Sequence, residues 1–300
     1  GCLATELKNI LSIDLEEWDQ LAHRRVTGRL PEPTDGVARQ LDHLLALLAV
    51  HHAKATFFVL GMMAERHAAL VRRVAEQGHE IACHGYAHLI VDRLDRGQFR
   101  EDAKRAKELL EGITGAAVQG YRAAEFSIRR RSLWALEVLA ELGFRYDSSI
   151  FPIHHRRYGI ADFPPQAASL VLPNDLRIVE LPLATTAFLG GRFPVAGGGY
   201  FRMMPLWLIR GAVRRVNRSE TPLITYFHPY EFDPQRLDVF ATERPAGWGE
   251  RIRGLQFNLH QNLGRRSIPA KVGALLREFQ FTTCRDYLDG AHLEERRKTE

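Results

Sequence analysis

His84 and His88 stand four residues apart in His84-Gly85-Tyr86-Ala87-His88, directly after the apolar run Ile81-Ala82-Cys83. On one helical turn, or in a tight loop leaving a strand, this spacing puts both rings on one side. Two neutral imidazoles facing one point are a natural grip for a divalent transition metal. The chain has 13 histidines, so the pair gains meaning only from the residues that accompany it.

Upstream, Ser12-Ile13-Asp14-Leu15-Glu16-Glu17 closes an apolar run. In an extended chain Asp14 and Glu16 point the same way. Two such carboxylates can divide labour, one binding a cation while the other takes protons. Glu16 with His84 and His88 would make a two-histidine, one-carboxylate set, which leaves positions open for water and substrate. A divalent ion lowers the pKa of a bound water towards ~7, and Asp14 is placed to accept that proton. Arg122, in Gly120-Tyr121-Arg122, is expected to hold Asp14 ionised through a two-pronged contact. His228 follows the run Leu223 to Phe227 and, protonated, could act as general acid. Each residue alone has a plainer reading: an acidic turn, a surface guanidinium, a structural imidazole. Cys83, beside His84, reads as a buried structural thiol more readily than as a ligand.

The elements that must carry these residues alternate between apolar runs and helical periods. Strands are expected at Asn9 to Leu15, Ala55 to Leu60, His79 to Cys83, Val118 to Tyr121, Phe144 to Asp147, Arg177 to Leu181, Leu223 to Phe227 and Phe279 to Thr283. Helices are expected where Val37, Leu41, Leu44, Leu45 and Leu48 recur, and over 63–77, 97–111, 131–142, 205–218 and 267–278. Strand-then-helix alternation argues for a parallel sheet, open or closed into a barrel. Asp14, His84, Arg122, Asp147 and His228 would then share the C-terminal strand edge, where reactive groups gather in such barrels. Residues 151–175 read as a loop, and 235–262 as a long surface excursion without periodicity.

Bulk properties exclude several classes. With 300 residues and 45% hydrophobic content, the chain can bury a large core. No run of eighteen apolar residues is present to cross a bilayer. No secretory signal is visible, so a cytoplasmic place is expected, although the first residue is Gly1 rather than Met. Cys2, Cys83 and Cys284 are too few and too scattered for a disulfide framework. The net charge of +5 comes from dispersed arginine clusters lacking interleaved aromatics, so nucleic acid is not an expected partner. The basic amphipathic stretch 205–218 reads as a packed helix, or as a peripheral contact with an anionic membrane surface.

The ordered set Asp14-x-Glu16, His84-x-x-x-His88, Tyr121-Arg122, Tyr146-Asp147-Ser148-Ser149 and Tyr226-Phe227-His228-Pro229 resembles the NodB-type polysaccharide deacetylases, carbohydrate esterase family four, over about residues 9–290. The stretches Phe151 to Gly159 and Pro194 to Phe201 resemble the subgroup associated with exosortase (PEP-CTERM) exopolysaccharide loci. The resemblance implies a distorted (β/α) barrel forming one domain over 1–300, with about 235–300 a C-terminal extension packed on it. It implies one divalent metal ion, zinc first, with cobalt, nickel, manganese and iron as alternatives, and an N-acetylated glycan as substrate. By motif position Asp14 resembles the general base, and Glu16, His84 and His88 the metal ligands. Arg122 resembles the base-orienting arginine, His228 the general acid, and Asp147 a further orienting group. His154, His155, Arg156, Arg157 and Tyr200 would line the sugar cleft.

Two departures from the family pattern stand out. Glu16 occupies a position that is usually Asp, so either it sits further back by one methylene or Glu17 contributes. The arginine motif normally continues with proline, but here reads Arg122-Ala123-Ala124-Glu125. Loss of a fixed φ is expected to loosen a loop that offers a backbone N–H to an oxyanion, and Glu125 reads as an exposed loop acid. The expected reaction is removal of N-acetyl groups from amino sugars of an exopolysaccharide or its precursor. The competing readings are a metal amidohydrolase acting on a small cyclic amide or imide, a non-haem iron oxygenase, and a glycan-binding protein with a decayed site.

Overall fold

The computed structural model describes residues 7–32, 34–188, 191–291 and 293–297; Cys2 lies outside them. The elements run β1 (Asn9–Leu15), α1 (Trp18–Thr27), α2 (Gly36–Val50), β2 (Thr56–Val59), α3 (Gly61–Arg66), α4 (Ala68–Glu76), β3 (Glu80–Cys83), α5 (Arg96–Thr114), β4 (Gly120–Tyr121), α6 (Trp134–Glu141) and β5 (Tyr146–Asp147). They continue as β6 (Ala168–Val171), β7 (Arg177–Glu180), β8 (Thr185–Phe188), β9 (Gly191–Pro194), α7 (Gly198–Met203), α8 (Leu206–Asn217), β10 (Ile224–Phe227), α9 (Trp248–Asn262), α10 (Ile268–Glu278), β11 (Phe281–Thr282), α11 (Cys284–Gly290) and β12 (Glu295–Arg297).

The main sheet has the order β10-β1-β2-β3-β4-β5-β7-β6-β12, with β11 also on β1. Every pairing is parallel except β6 with β7. All seven residues of β1 are buried, as a parallel strand covered by helices requires. The α2 stripe Val37, Leu41, Leu44, Leu45 and Leu48 packs into the same core. The strand path does not join β10 to β12. Instead the segment after β7 crosses the gap: Leu183 N–H donates to the Ile150 carbonyl at 2.9 Å and Ala184 N–H to the Ile224 carbonyl at 3.3 Å. This is an α/β fold on a mostly parallel sheet, in which the segment after β7 hydrogen-bonds to both Ile150, just past β5, and β10.

Differences from the expected elements have local causes. The helix expected over 63–77 is two, α3 and α4, broken at His67. The His67 ring is drawn to Glu17, with Nε2 3.1 Å from Oε1. The hairpin β8–β9 stands apart from the main sheet. The expected surface excursion contains a 15-residue helix, α9. Its apolar residues Trp248, Ile252, Leu255 and Leu259 do recur at helical spacing, but they face outward while Gly254 and Asn258 face inward, so the stripe does not mark a core-facing helix. The segment after 235 also adds β11 and β12 to the sheet.

Candidate active site and metal centre

The strands are short and parallel, so the residues that follow them collect at one edge. Asp14 lies in β1, His84 follows β3, Arg122 follows β4, Asp147 ends β5 and His228 follows β10. Above this edge is a pocket of about 570 Å³ whose floor includes Asp14, Glu16, His84, His88, Tyr226 and His228.

The pair His84/His88 sits in a loop, not on a helical turn. Gly85 turns this loop with φ of +72°, and a Cβ there would meet an Asp102 oxygen at 2.8 Å. Asp102, from α5, accepts from Tyr86 N–H at 2.8 Å and Ala87 N–H at 3.0 Å. Arg24, from α1, donates to the Ala87 carbonyl at 3.3 Å. His88 itself has φ of +54°, a strained setting for a non-glycine residue, held by these contacts. His84 Nδ1 donates to the Arg122 carbonyl at 2.8 Å, which leaves Nε2 as the free lone pair.

That lone pair faces Glu16. Glu16 Oε2 is 3.6 Å from His84 Nε2 and 3.2 Å from His88 Nε2. One ligand atom from each of the three residues lies within 4.8 Å of the others. Glu16 Oε2 is buried without a hydrogen-bond partner. A buried carboxylate oxygen left without a partner, aimed between two imidazole nitrogens, is costly unless a cation completes it. The donor set fits a divalent transition metal. Burial opposes ionisation of Glu16, but His88, His84 and His228 together hold its carboxyl well below the usual range. Burial likewise opposes protonation of His84, and Asp14 and Glu16 outweigh it. Glu17 is engaged elsewhere: its carboxylate takes Arg66 at 2.7 Å and His67 at 3.1 Å. Cys83 lies outside the cluster. Its Sγ accepts from Gly85 N–H at 3.4 Å, and burial pushes its thiol up.

Arg122 is fully buried. It reaches Asp14 with one nitrogen, not two: Nη1 donates to Asp14 Oδ1 at 2.9 Å and to Ser12 Oγ at 2.7 Å. Nε donates to the Ser148 carbonyl at 3.0 Å and Nη2 to Ser148 Oγ at 2.9 Å. Its guanidinium lies 4.0 Å from the Phe58 ring centre. A single arginine thus ties β1, β4 and the end of β5 together while holding the Asp14 carboxylate in place.

His228 Nε2 lies 3.6 Å from Glu16 Oε1, and Nδ1 lies 3.0 Å from Glu231 Oε1. Burial pulls its pKa down, but Glu231 foremost, then Glu16 and Asp14, raise it to about 9. Glu231, three residues on, was not singled out from sequence; its signal is the spacing His228-Pro-Tyr-Glu231, which closes one turn back onto the ring.

Of the residues expected to line the sugar cleft, Arg157 alone lines the pocket. His154, His155 and Arg156 do not line the pocket; Arg157 and Tyr158 do. The His155 ring stacks behind Tyr158 at 4.0 Å. Tyr200 is also off the pocket, its hydroxyl 3.4 Å from that of Tyr158. Asp147 is buried below the edge and touches neither Arg122 nor the pocket by a hydrogen bond; it accepts from Ser149 Oγ at 2.6 Å. Burial, foremost, raises the pKa values of Asp147 and Glu180. Glu125 is not a free loop acid. It lines the pocket mouth with φ of +51°, 3.8 Å from Arg25 and 3.5 Å from Arg157.

Residues 34–146 match the polysaccharide deacetylase family model, and residues 148–289 match the domain of unknown function DUF3473. A peptidoglycan-N-acetylglucosamine deacetylase of Bacillus cereus is 34% identical over 95 residues, 31% of this chain and 34% of that protein. A chitooligosaccharide deacetylase of Rhizobium leguminosarum bv. trifolii is 35% identical over 112 residues, 37% of this chain and 47% of that protein. The chain thus spans between a third and a half of the length of these curated relatives. Among solved structures, an allantoinase aligns with a TM-score of 0.58 at 17% identity, over 93% of this chain and 88% of that one. A CE4 family pseudoenzyme from Bacillus anthracis aligns with a TM-score of 0.50 at 13% identity, over 98% and 70%. Both likenesses concern the fold. The match to the polysaccharide deacetylase model thus covers residues 34–146, the part of the chain that carries His84, His88 and Arg122.

Proposed function

We propose that this protein is a metal-dependent hydrolase that removes N-acetyl groups from amino sugars of an exopolysaccharide or its precursor, as in the exosortase-associated subgroup its sequence resembles. The observation that carries the reading is the convergence of Glu16, His84 and His88, with an orphaned Glu16 oxygen, beside an Arg122-held Asp14 and a Glu231-held His228.

A divalent cation on Glu16, His84 and His88 would supply Lewis acidity at the acetamide carbonyl and a more acidic water. Asp14 takes the proton from the attacking water, and Arg122 keeps Asp14 oriented for it. The water oxygen bonds to the acetyl carbon. His228, held protonated by Glu231, gives its proton to the departing nitrogen as the C–N bond breaks. An amide nitrogen leaves only with that proton, so the acid is as necessary as the base. The products are acetate and a free amino sugar. The pocket walls suit a sugar, with aromatic rings from Trp18, Phe126, Tyr158 and Tyr226 and guanidinium groups from Arg25 and Arg157.

The test compares acetate release from N-acetylated hexosamine oligomers with hydrolysis of a small cyclic imide. Acetate release that is lost in Asp14→Asn and His228→Ala, with the imide left intact, supports the reading. Folded variants that release acetate at the wild-type rate, or a preference for the imide, overturn it.

A further inference from the structure

Helix α9 is apolar on two sides. Phe257 and Gln261 face inward and form part of the pocket wall. The outward side presents Trp248, Ile252, Leu255, Leu259 and, just past its end, Leu263, each between 51% and 77% exposed. These positions follow the i, i+4, i+7, i+11 spacing of one continuous stripe. Eight of the twelve exposed large hydrophobic side chains among the described residues lie on this stripe or at Met203, Trp207 and Leu208. Arg202, beside Met203, donates to the Gln261 carbonyl, so that second group abuts the C-terminal end of α9. Scattered single apolar side chains need no explanation, but a contiguous stripe marks a contact surface.

The charges beside the stripe are of one sign. Arg251 and Arg253 are exposed, and Arg251 lies 5.4 Å from the Trp248 ring centre. The acid of α9, Glu250, is turned away into an ion pair with Arg29 at 2.8 Å. A second copy of the chain is a poor occupant: each copy carries +5, and a two-fold contact would set arginines against arginines. A helix of this length is about 22 Å long and 10 Å across. Its one free face is smaller than the ~800 Å² per partner that a stable interface buries.

The geometry points to an anionic lipid surface as the occupant: α9 lies flat on the bilayer with Trp248, Ile252, Leu255 and Leu259 in the headgroup region and its arginines on acidic lipid. Because the opposite side of the same helix walls the pocket, docking holds the pocket beside the membrane. It would give the enzyme access to glycan anchored in or lying on lipid. Helix α8 contributes less, since Arg210 and Arg214 are already engaged with Glu278.

The experiment is co-sedimentation of the whole chain with vesicles of phosphatidylcholine alone, or with about one-third phosphatidylglycerol. Binding to the anionic vesicles, weak on the neutral ones, is expected. Leu255→Glu with Leu259→Glu should lower the bound fraction roughly tenfold or more, and Arg251→Glu with Arg253→Glu should lower it and its dependence on salt. Both changes are on exposed side chains, and unchanged thermal melting shows that the variants fold. No binding by the wild-type chain, or equal binding by the Leu255/Leu259 variant, overturns the proposal. So does a dimer by light scattering that this variant converts to monomer, because the occupant would then be a second copy. The assay reads binding alone, so its outcome is separate from that of the hydrolase reading.

Discussion

The Ala123 N–H donates to Ser149 Oγ at 2.7 Å. A proline at position 123 has no such hydrogen. The loop after Arg122 is thus held by a hydrogen bond that a proline at position 123 could not make. Ser149 in turn donates to Asp147 at 2.6 Å, so the buried carboxylate acts on the site through two hydrogen bonds. Ala123 keeps φ of −71°, the value that proline would impose.

Ser149→Ala should therefore cost more in this chain than the loss of one hydroxyl implies. It leaves a buried N–H and a buried carboxylate short of a partner, worth about 1–3 kcal/mol of stability. Ala123→Pro removes the donor and keeps φ, so the double variant should be less destabilised than the sum of the two single changes. Urea denaturation of the four proteins in this cycle checks it. Strict additivity would remove the coupling.

Arg122→Lys keeps the charge and loses the fork. A single ammonium cannot reach Ser12, Asp14 and both Ser148 oxygens, so a buried network is left half-paired. A loss of about 3 kcal/mol or more in unfolding free energy is expected, with acetate release falling at least in proportion to Asp14 misplacement. A variant as stable and active as the wild type would contradict the bracing role.

Glu231→Gln removes the anion that foremost keeps the His228 imidazole charged. If His228 supplies the leaving-group proton, kcat should fall by about ten- to a hundredfold while KM changes little, because Glu231 lines no part of the pocket. An effect confined to KM would assign Glu231 to binding instead.

His79 offers a pH test of stability remote from the chemistry. Burial, and then Lys54, lower its pKa from 6.5 to about 4, and its Nδ1 accepts from Ala55 N–H. The unfolded chain therefore binds a proton before the folded one does. The contribution of His79 is complete above pH 6.5 and is lost as pH falls towards 4. Between pH 7 and pH 5 the urea midpoint of His79→Gln should fall less than that of the wild type. Parallel losses would place the acid sensitivity elsewhere.

Much of this arrangement was legible in the sequence because a parallel strand writes its own C-terminal edge. An apolar run that stops at Asp14, His84, Arg122 or His228 states where the polar group is, and helices between the runs state that the strands are parallel. The supporting residues carried no such mark. Ser12, Ser148, Ser149 and Asp102 are common residue types whose partners in Arg122, Ala123 and the His84–His88 loop lie 15 to 110 positions away. In the loop after Phe151 no period fixes which side chains turn inward, so Arg157 and Tyr158 rather than His154, His155 and Arg156 reach the pocket. Glu16 could be told from Glu17 only by the competing partners Arg66 and His67, which arrive from a helix break that the sequence did not signal.

The central claim is that Glu16, His84 and His88 together hold one divalent cation. The most direct measurement is calorimetric titration of Zn2+ into the chelator-treated chain, run beside Glu16→Ala, His84→Ala and Asp14→Asn. One ion per chain is expected, bound at least about a hundredfold more weakly in the Glu16 and His84 variants and nearly unchanged in Asp14→Asn. Equal affinity in all four proteins, or no binding by the wild type, would contradict the account.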